Sequence, residues 1–332
     1  MARTLSMSFT WQGPMDYEQA CTRVRAAEEA GVDTVWVAEA WGRDCFTILT
    51  LLARETTRIK LGTGIVNCYS RTPAALAQHF ATLDEFSGGR MLVGLGTSGP
   101  RVIEHFHGVP FQPSLTRLRE YVEIIRMLLA GEPLKYQGTL FRLERGFRLR
   151  FPPVRSSIPI FIASLTPKSV AQTAAIADGW MPVMIPLERL GREVTAFRQL
   201  VREAGREPHR VTVRSPGAVT VTRDVDKARE ESQAHLAFYL TNMGDFYREQ
   251  LIRLGYESAV HDVRNAWDAG GRVAGTAAVP RALVDSLFFA GPVEACIERL
   301  EAQAAAGVDM HTVRVDAEEP QDTVKILQRL VG

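Results

Sequence analysis

Residues 59–100 read IKLGTGIVNCYSRTPAALAQHFATLDEFSGGRMLVGLGTSGP. The order is strand, Gly-rich turn, helix, Gly-Gly turn, strand, Gly-rich turn. Thr72 can cap the helix, and Pro73 suits its first position, which needs no backbone donor. Leu76, Phe80 and Leu83 then share one face, and Gly88-Gly89 ends the unit. The two strands are alike in character, and each runs into small residues at its C-terminal end. In α/β proteins that end is where ligands bind, so the segment points to a fold and a site together.

The same unit recurs outward from this stretch. Residues 5–11 make a first strand and DTVWVAEA (33–40) a second, whose Val35, Trp36, Val37 and Ala38 are apolar on both faces, as in a buried parallel strand. A helix lies between them from about 16 to 30, and another from 46 to 55 precedes the quoted segment. A helix over 117–130 turns Tyr121, Ile124, Ile125 and Leu128 inward, and residues 135–145 suggest a small hairpin. IPIFIAS (158–164), GWMPVMI (179–185), RVTVRSPGAVTVT (210–222) and MHTVRV (310–315) supply four more strands, with helices at 166–177, 187–204, 292–306 and 320–330. Eight strands alternating with helices predict an α/β fold, a (β/α)8 TIM barrel with insertions, over residues 1–332. An open doubly wound sheet fits less well, because nothing divides the chain into two nucleotide-binding halves. Residues 225–287 are mostly helical and longer than one crossover needs, so they are read as an insertion.

Composition narrows the function. The chain has 332 residues, 46% hydrophobic and 23% charged, and a formal net charge of +1. That balance gives no electrostatic reason for nucleic acid or an anionic membrane as partner. No apolar run approaches the roughly 20 residues of a transmembrane helix, and MARTLSMSFTW lacks the apolar core of a signal peptide. The four cysteines form no C-x-x-C pair. Reduced thiols and a cytoplasmic location are therefore expected.

In a barrel the site lies in the loops that follow the strands. The strand ends here are Trp11; Glu39, Ala40 and Trp41; Gly64 to Asn67; Gly96 to Gly99; Ala163, Ser164 and Leu165; and 182–186. They are rich in glycine and small hydroxyl residues and poor in ionisable groups. This suits a large, flat, mostly apolar ligand with polar fringes, and not a metal cluster or a paired-carboxylate hydrolase. IASLTPKS ends a strand at Ser164 and starts a helix at Thr166-Pro167. Its free N–H groups, with Lys168 near, can hold a phosphate, or they are an ordinary capped helix. Glu39 ends a buried strand and must be solvated, functional or paired, with Arg43 as a candidate partner. His105 and His107 in EHFHG lack further ligands at metal-binding spacing, so no metal site is expected, and His107 is read as structural or substrate-facing. Trp36 reads as core, whereas Trp11, Trp41 and Trp180 are candidates to line a substrate pocket.

The order AEEAGVDTVWVAEAWGRD, the quoted segment, REYVEIIRMLLAGE, PIFIASLTPKSVAQTAAIADGW and AGPVEACIERLEAQAAAGVD resembles the luciferase-like monooxygenase superfamily. Within it the chain looks most like the deazaflavin-dependent branch related to methylenetetrahydromethanopterin reductase. The resemblance implies a bacterial-luciferase-like barrel, usually a homodimer, that binds coenzyme F420 or FMN at the C-terminal mouth. It implies a non-prolyl cis peptide at Gly64–Ile65 behind the ring. Thr63, Asn67, Gly96, Thr97 and Ser98 would lie near the cofactor, with a phosphate site at Ala163, Ser164 and Leu165. Glu39 matches the acidic residue of the second strand end and is the one catalytic candidate, as a proton-handling or ring-orienting group. Related dehydrogenases resemble one another in a His after that acid and a Glu after the fourth strand; here Ala40 and Pro100 stand there. The expected activity is thus an F420-dependent oxidoreductase that transfers a hydride to or from a small organic substrate, as a reductase. The alternatives are an FMN-dependent monooxygenase using O2 and a separate flavin reductase, or a non-catalytic flavin-binding barrel.

Overall fold

The computed structural model describes residues 2–9, 16–317 and 319–332. Its strands are β1 (Leu5–Phe9), β2 (Thr34–Val37), β3 (Lys60–Thr63), β4 (Val66–Asn67), β5 (Met91–Gly96), β6 (Leu134–Gln137) and β7 (Arg142–Phe147). They continue with β8 (Ile160–Ala163), β9 (Gly179–Met181), β10 (Thr212–Val213), β11 (Val219–Val221), β12 (Phe289–Gly291) and β13 (His311–Val315). The helices before the hairpin are α1 (Tyr17–Glu29), α2 (Cys45–Glu55), α3 (Pro73–Phe86), α4 (Pro100–His105) and α5 (Ser114–Leu129). Then come α6 (Pro167–Ile176), α7 (Leu187–Glu203), α8 (Val225–Asn242), α9 (Asp245–Arg253), α10 (Glu257–Ala277), α11 (Arg281–Leu287), α12 (Val293–Ala305) and α13 (Pro320–Val331).

Parallel pairing runs β10-β9-β8-β5-β3-β2-β1-β13-β11-β12, and a further bridge between Arg214 and Met310 joins the end of β10 to the start of β13. The sheet therefore closes on itself, and the predicted (β/α)8 barrel is what the chain forms. Two expected strands are split. Residues 210–222 divide into β10 and β11 because Pro216 has no N–H to give, and a Cβ on Gly217 would stand 2.2 Å from the Leu287 carbonyl oxygen. The third strand divides into β3 and β4 at Gly64–Ile65, whose peptide bond is cis, and β4 then pairs with β5.

Local signals act as the residues suggest. The Thr72 and Thr166 hydroxyls accept from the N–H groups of Ala75 and Ser169, with proline following each. In the motif TLDEFSGGR, Asp84 is 1% exposed, accepts the Met91 N–H at 3.0 Å and holds Arg155 through two hydrogen bonds. Arg90 donates to the carbonyls of Ala53, Thr56, Ile59 and Ser87. That motif thus ties together the N-terminal end of the barrel. The buried Glu120 carboxylate accepts the N–H groups of Thr139, Leu140 and Phe141 and so pins the β6–β7 hairpin onto α5.

Residues alternate along each strand, and the inward ones meet inside the barrel. Trp36, Leu92, Phe161, Met181 and Met310 form that inner cluster, with Ile65 and Ala163 against it. The outer core lies between sheet and helices. Helices α8 to α11 carry a separate cluster of Leu236, Leu240, Leu251, Val260, Val263 and Leu283, joined by Met184 from the loop after β9. All four cysteines are buried free thiols. Among the described residues, no helix is long and apolar enough to cross a membrane.

Trp36 is fully buried, and a Cβ on Gly62 would lie 2.4 Å from its ring. Gly62→Ala is expected to destabilise the protein by about 1–3 kcal/mol. Combined with Trp36→Leu, which removes the obstructing ring, its cost should fall well short of the sum of the single effects. Denaturant unfolding of the four proteins measures this, and strict additivity would contradict the packing described.

Candidate active site at the barrel mouth

The C-terminal strand ends converge on a surface of small residues. Gly64, Ile65, Thr97, Ser98, Ala163 and Leu165 are all partly accessible there. A Cβ on Gly96 would stand 3.0 Å from Ile65 Cδ1 and 3.5 Å from Ala163 Cβ, so both side chains border the space that Gly96 leaves. The turn Thr97-Ser98 is sharp, with Ser98 at φ 57°, a left-handed conformation uncommon for serine, and Thr97 Oγ1 donating to the Ser98 carbonyl. The residues that meet here carry small or uncharged side chains.

A polar corner adjoins it. Glu39 follows β2 and receives Arg71 in a two-pronged ion pair at 2.7 and 3.1 Å, with the Cys45 N–H at 3.1 Å. Arg71 also bridges to Asp44, the N-cap of α2. Arg71, and not Arg43, is therefore the ion-pair partner found for Glu39. With both oxygens engaged by a guanidinium, Glu39 is built to orient Arg71 and the loop after β4; it is not poised to pass protons, as its strand-end position suggested. Asn67 Oδ1 accepts the N–H groups of Tyr69 and Ser70, which fixes its amide so that Nδ2 faces His107 Nε2 at 3.4 Å. Burial holds the His107 imidazole below its ordinary pKa; the nearby Glu39 carboxylate works to raise it and Arg71 to lower it. A neutral His107 at pH 7 suits the proton acceptor that Asn67 requires.

Three expectations need correction. Thr63 is fully buried, and its hydroxyl donates to the Gly94 carbonyl at 2.8 Å while accepting the Gly94 N–H at 2.9 Å. It joins two strands and offers nothing to a ligand. Trp180 turns outward, stacks on Phe197 with ring centroids 4.4 Å apart, and donates to the Ser164 carbonyl. It cannot line a pocket at the mouth, because strand alternation points Gly179 and Met181 inward instead. Ser164 is 4% exposed and its hydroxyl is hydrogen-bonded to Thr173, so it is turned away from a ligand at the loop after β8. Trp41 is exposed at the loop after β2. Trp11 lies outside the described residues.

Residues 225–287, expected from sequence to be a helical insertion shaping the substrate end, reach this mouth. Arg253 of α9 donates to the Leu165 carbonyl, and Arg101 of α4 donates to the Asn242 carbonyl at the end of α8. Gly99 lies against Met243, where a Cβ would stand 3.3 Å from the carbonyl oxygen. Sequence reading missed Arg253 because only the folded chain brings α9 to a loop 88 residues away. Lys168, at the start of α6, and Arg253 give this loop positive charge beside the N–H groups of a helix N-terminus, a donor set suited to a phosphate. An uncharged small-residue face and a cationic loop together suit an apolar ring with an anionic tail. Among the described residues, no group of three or more His, Cys, Asp or Glu side chains is arranged to hold a metal ion.

The sequence profile described as luciferase-like monooxygenase matches residues 3–310. A putative coenzyme F420-dependent oxidoreductase of Mycobacterium tuberculosis is 31% identical over 97% of this chain and 98% of its own length. The 5,10-methylenetetrahydromethanopterin reductase of Archaeoglobus fulgidus is 32% identical over 89% of this chain and 88% of its own. The crystal structure of the coenzyme F420-dependent tetrahydromethanopterin reductase of Methanopyrus kandleri superposes with a TM-score of 0.84 at 22% identity, covering 100% of this chain and 99% of that one, which speaks for the fold.

NMR titration should place the His107 midpoint below the ordinary imidazole value of about 6.5. Glu39→Gln should move it further down and Arg71→Met up, following the signs of the charges removed. A midpoint at or above 6.5, or shifts of opposite sign, would show that His107 does not sit between these charges.

Proposed function

The chain belongs to the luciferase-like monooxygenase family, and from that premise we propose that it is a coenzyme F420-dependent oxidoreductase acting as a reductase on a small organic substrate. The observation that carries the cofactor choice is the pair of relatives at 31% and 32% identity over most of the chain, one named for F420 and the other a methylenetetrahydromethanopterin reductase. The mouth is consistent with it. When bound, the deazaflavin supplies hydride donor and acceptor chemistry, and the protein's part is position, charge and exclusion of water.

Gly64, Ile65, Gly96 and Ala163 would form the flat support on which the ring lies. Thr97 and Ser98 would wall its edge. The N–H groups after β8, with Lys168 and Arg253, would hold the phosphate end. Helices α8 and α9 would close the substrate end with an aromatic cluster in which His235 lies 4.4 Å from Tyr239 and Tyr239 lies 4.7 Å from Tyr247. The substrate would therefore be apolar on the side facing these rings.

The reductase direction rests on the acid–base inventory. The strand-end acid Glu39 is neutralised by Arg71, Ala40 follows it, and Pro100 begins α4. Among the described residues, Glu39 and positions 40 and 100 thus supply neither of the groups that related dehydrogenases place there to take a proton from an alcohol as hydride leaves. The nearby His107, neutral at pH 7, would serve by hydrogen bonding to the substrate.

Titrating the purified protein with F420 and with FMN tests the reading. Micromolar affinity for F420, FMN binding weaker by a factor of about 100 or more, and oxidation of reduced F420 by an added enone or imine acceptor are expected. Micromolar FMN binding with negligible F420 binding would replace the proposal with a flavin monooxygenase. F420 binding without turnover for any acceptor would replace it with a non-catalytic barrel.

A further inference from the structure

Below the mouth, inside the barrel, stands a cation without a counter-charge. Arg214 follows β10, where its backbone bridges to Met310. Its side chain runs along the inner wall past β13 to β1. Nε donates to Thr312 Oγ1 of β13 at 3.0 Å, and Nη2 donates to Ser8 Oγ of β1 at 2.5 Å. The guanidinium carbon lies 5.4 Å from the centre of the Trp36 ring. Among the described residues no carboxylate pairs with it, whereas Arg71, Arg155 and Arg198 are matched by Glu39, Asp84 and Asp309. Burial pulls the Arg214 pKa down to about 10, so it remains charged at neutral pH. Serine and threonine hydroxyls satisfy two of its N–H groups but bring no negative charge.

A second donor in the same place is also unanswered. Trp36 is fully buried, and its Nε1–H has no acceptor among the described residues. Its Cε3–Cζ3 edge lies against Gly62 of β3, so the edge carrying Nε1 is turned away from that strand. Register places Trp36 directly beside Ser8, the residue that meets Arg214. Folded proteins rarely leave a buried N–H unpaired, and an unpaired buried charge is costlier still. Ser8, although it faces inward, is solvent-exposed, so the lumen is open at this level. Arg214 meets Ser8 at that opening, with the buried Trp36 ring against its guanidinium; two unmatched donors, one of them charged, describe a place that is completed by something anionic.

We propose that Arg214, Trp36 Nε1–H and Ser8 form an oxyanion-recognising subsite in the barrel lumen, one that takes a planar, negatively charged oxygen group. Two ligands can supply that chemistry: the acidic edge of a flat ring cofactor, or a carboxylate on the substrate. Only the first rests on the cofactor reading above. Arg214 is a binding residue in this account, and its charge is carried at a cost to the ligand-free fold, as recognition groups often are.

Calorimetric titration of the full-length protein with F420 alone, and with benzoate in the presence and absence of F420, separates the sources. Arg214→Gln and the charge-keeping Arg214→Lys are compared with the wild type. Loss of F420 affinity by more than fivefold in Arg214→Gln, with Arg214→Lys closer to wild type, assigns the subsite to the cofactor edge. Unchanged F420 affinity with a more than fivefold loss of benzoate affinity assigns it to the substrate. Either supports the proposal, and ligand-free Arg214→Gln should then melt no lower than wild type. If Arg214→Gln does not fold, Arg214→Lys is judged by the same fivefold criterion. Affinities for both probes within fivefold of wild type overturn the proposal. If the wild type binds no F420, the cofactor reading fails on its own and benzoate alone decides; absence of benzoate binding as well overturns the subsite.

Discussion

The indole of Trp36 stands inside the barrel with no exposed surface, and the strands beside it are shaped by its presence. Gly62 and Gly64 lie on the next strand and its continuation, where a Cβ would come within 2.4 and 2.8 Å of Trp36 atoms. Phe161 meets its ring edge-on at 5.1 Å, and Gly179 in turn makes room for Phe161. Large rings on β2 and β8 thus face glycines on the neighbouring β3 and β9, which is how a small barrel fills its interior without strain. The lumen is consequently filled where these rings stand. Where Gly96, Ile65 and Ala163 come together the walls are smaller, and Ile65 and Ala163 keep accessible surface.

The two ends of the barrel divide the labour. At the N-terminal end Asp84 and Arg90 satisfy main-chain groups of several strands and helices at once, which makes that end rigid. At the C-terminal end the main buried ion pair is Glu39 with Arg71, and it serves to hold the loop that carries Asn67 and faces His107. The mouth therefore contains charge that is spent on positioning, and little that is free to move protons. A cofactor that brings its own redox chemistry asks no more of such a site.

Much of this was legible in the chain. Apolar runs separated by cap-and-proline helix starts give the barrel, because each signal is local: Thr72 and Thr166 need only the residues three positions on. The glycines were harder to read. In sequence Gly62, Gly64, Gly94 and Gly96 look alike, as places where a ligand can approach. In the fold Gly94 is required because a Cβ would lie 1.7 Å from the Thr63 carbonyl oxygen, and Gly62 because of Trp36; only Gly64 and Gly96 border the mouth. The difference depends on what the neighbouring strand carries, which spacing along one strand does not encode. The same limit hid Arg214 and Arg253. Both are single arginines in ordinary contexts, and they become informative only when Ser8, Thr312 and Leu165 are brought to them from far along the chain.

The small-residue face at the C-terminal mouth is proposed as a cofactor platform. A crystal structure of the protein grown with F420 tests it most directly. The ring is predicted to lie on Gly64–Ile65 and against Gly96 and Ala163, with its phosphate at the backbone of residues 163–168. A ring bound elsewhere on the barrel, or a mouth in which Ile65 and Ala163 stay covered by protein while the cofactor is bound, would contradict it.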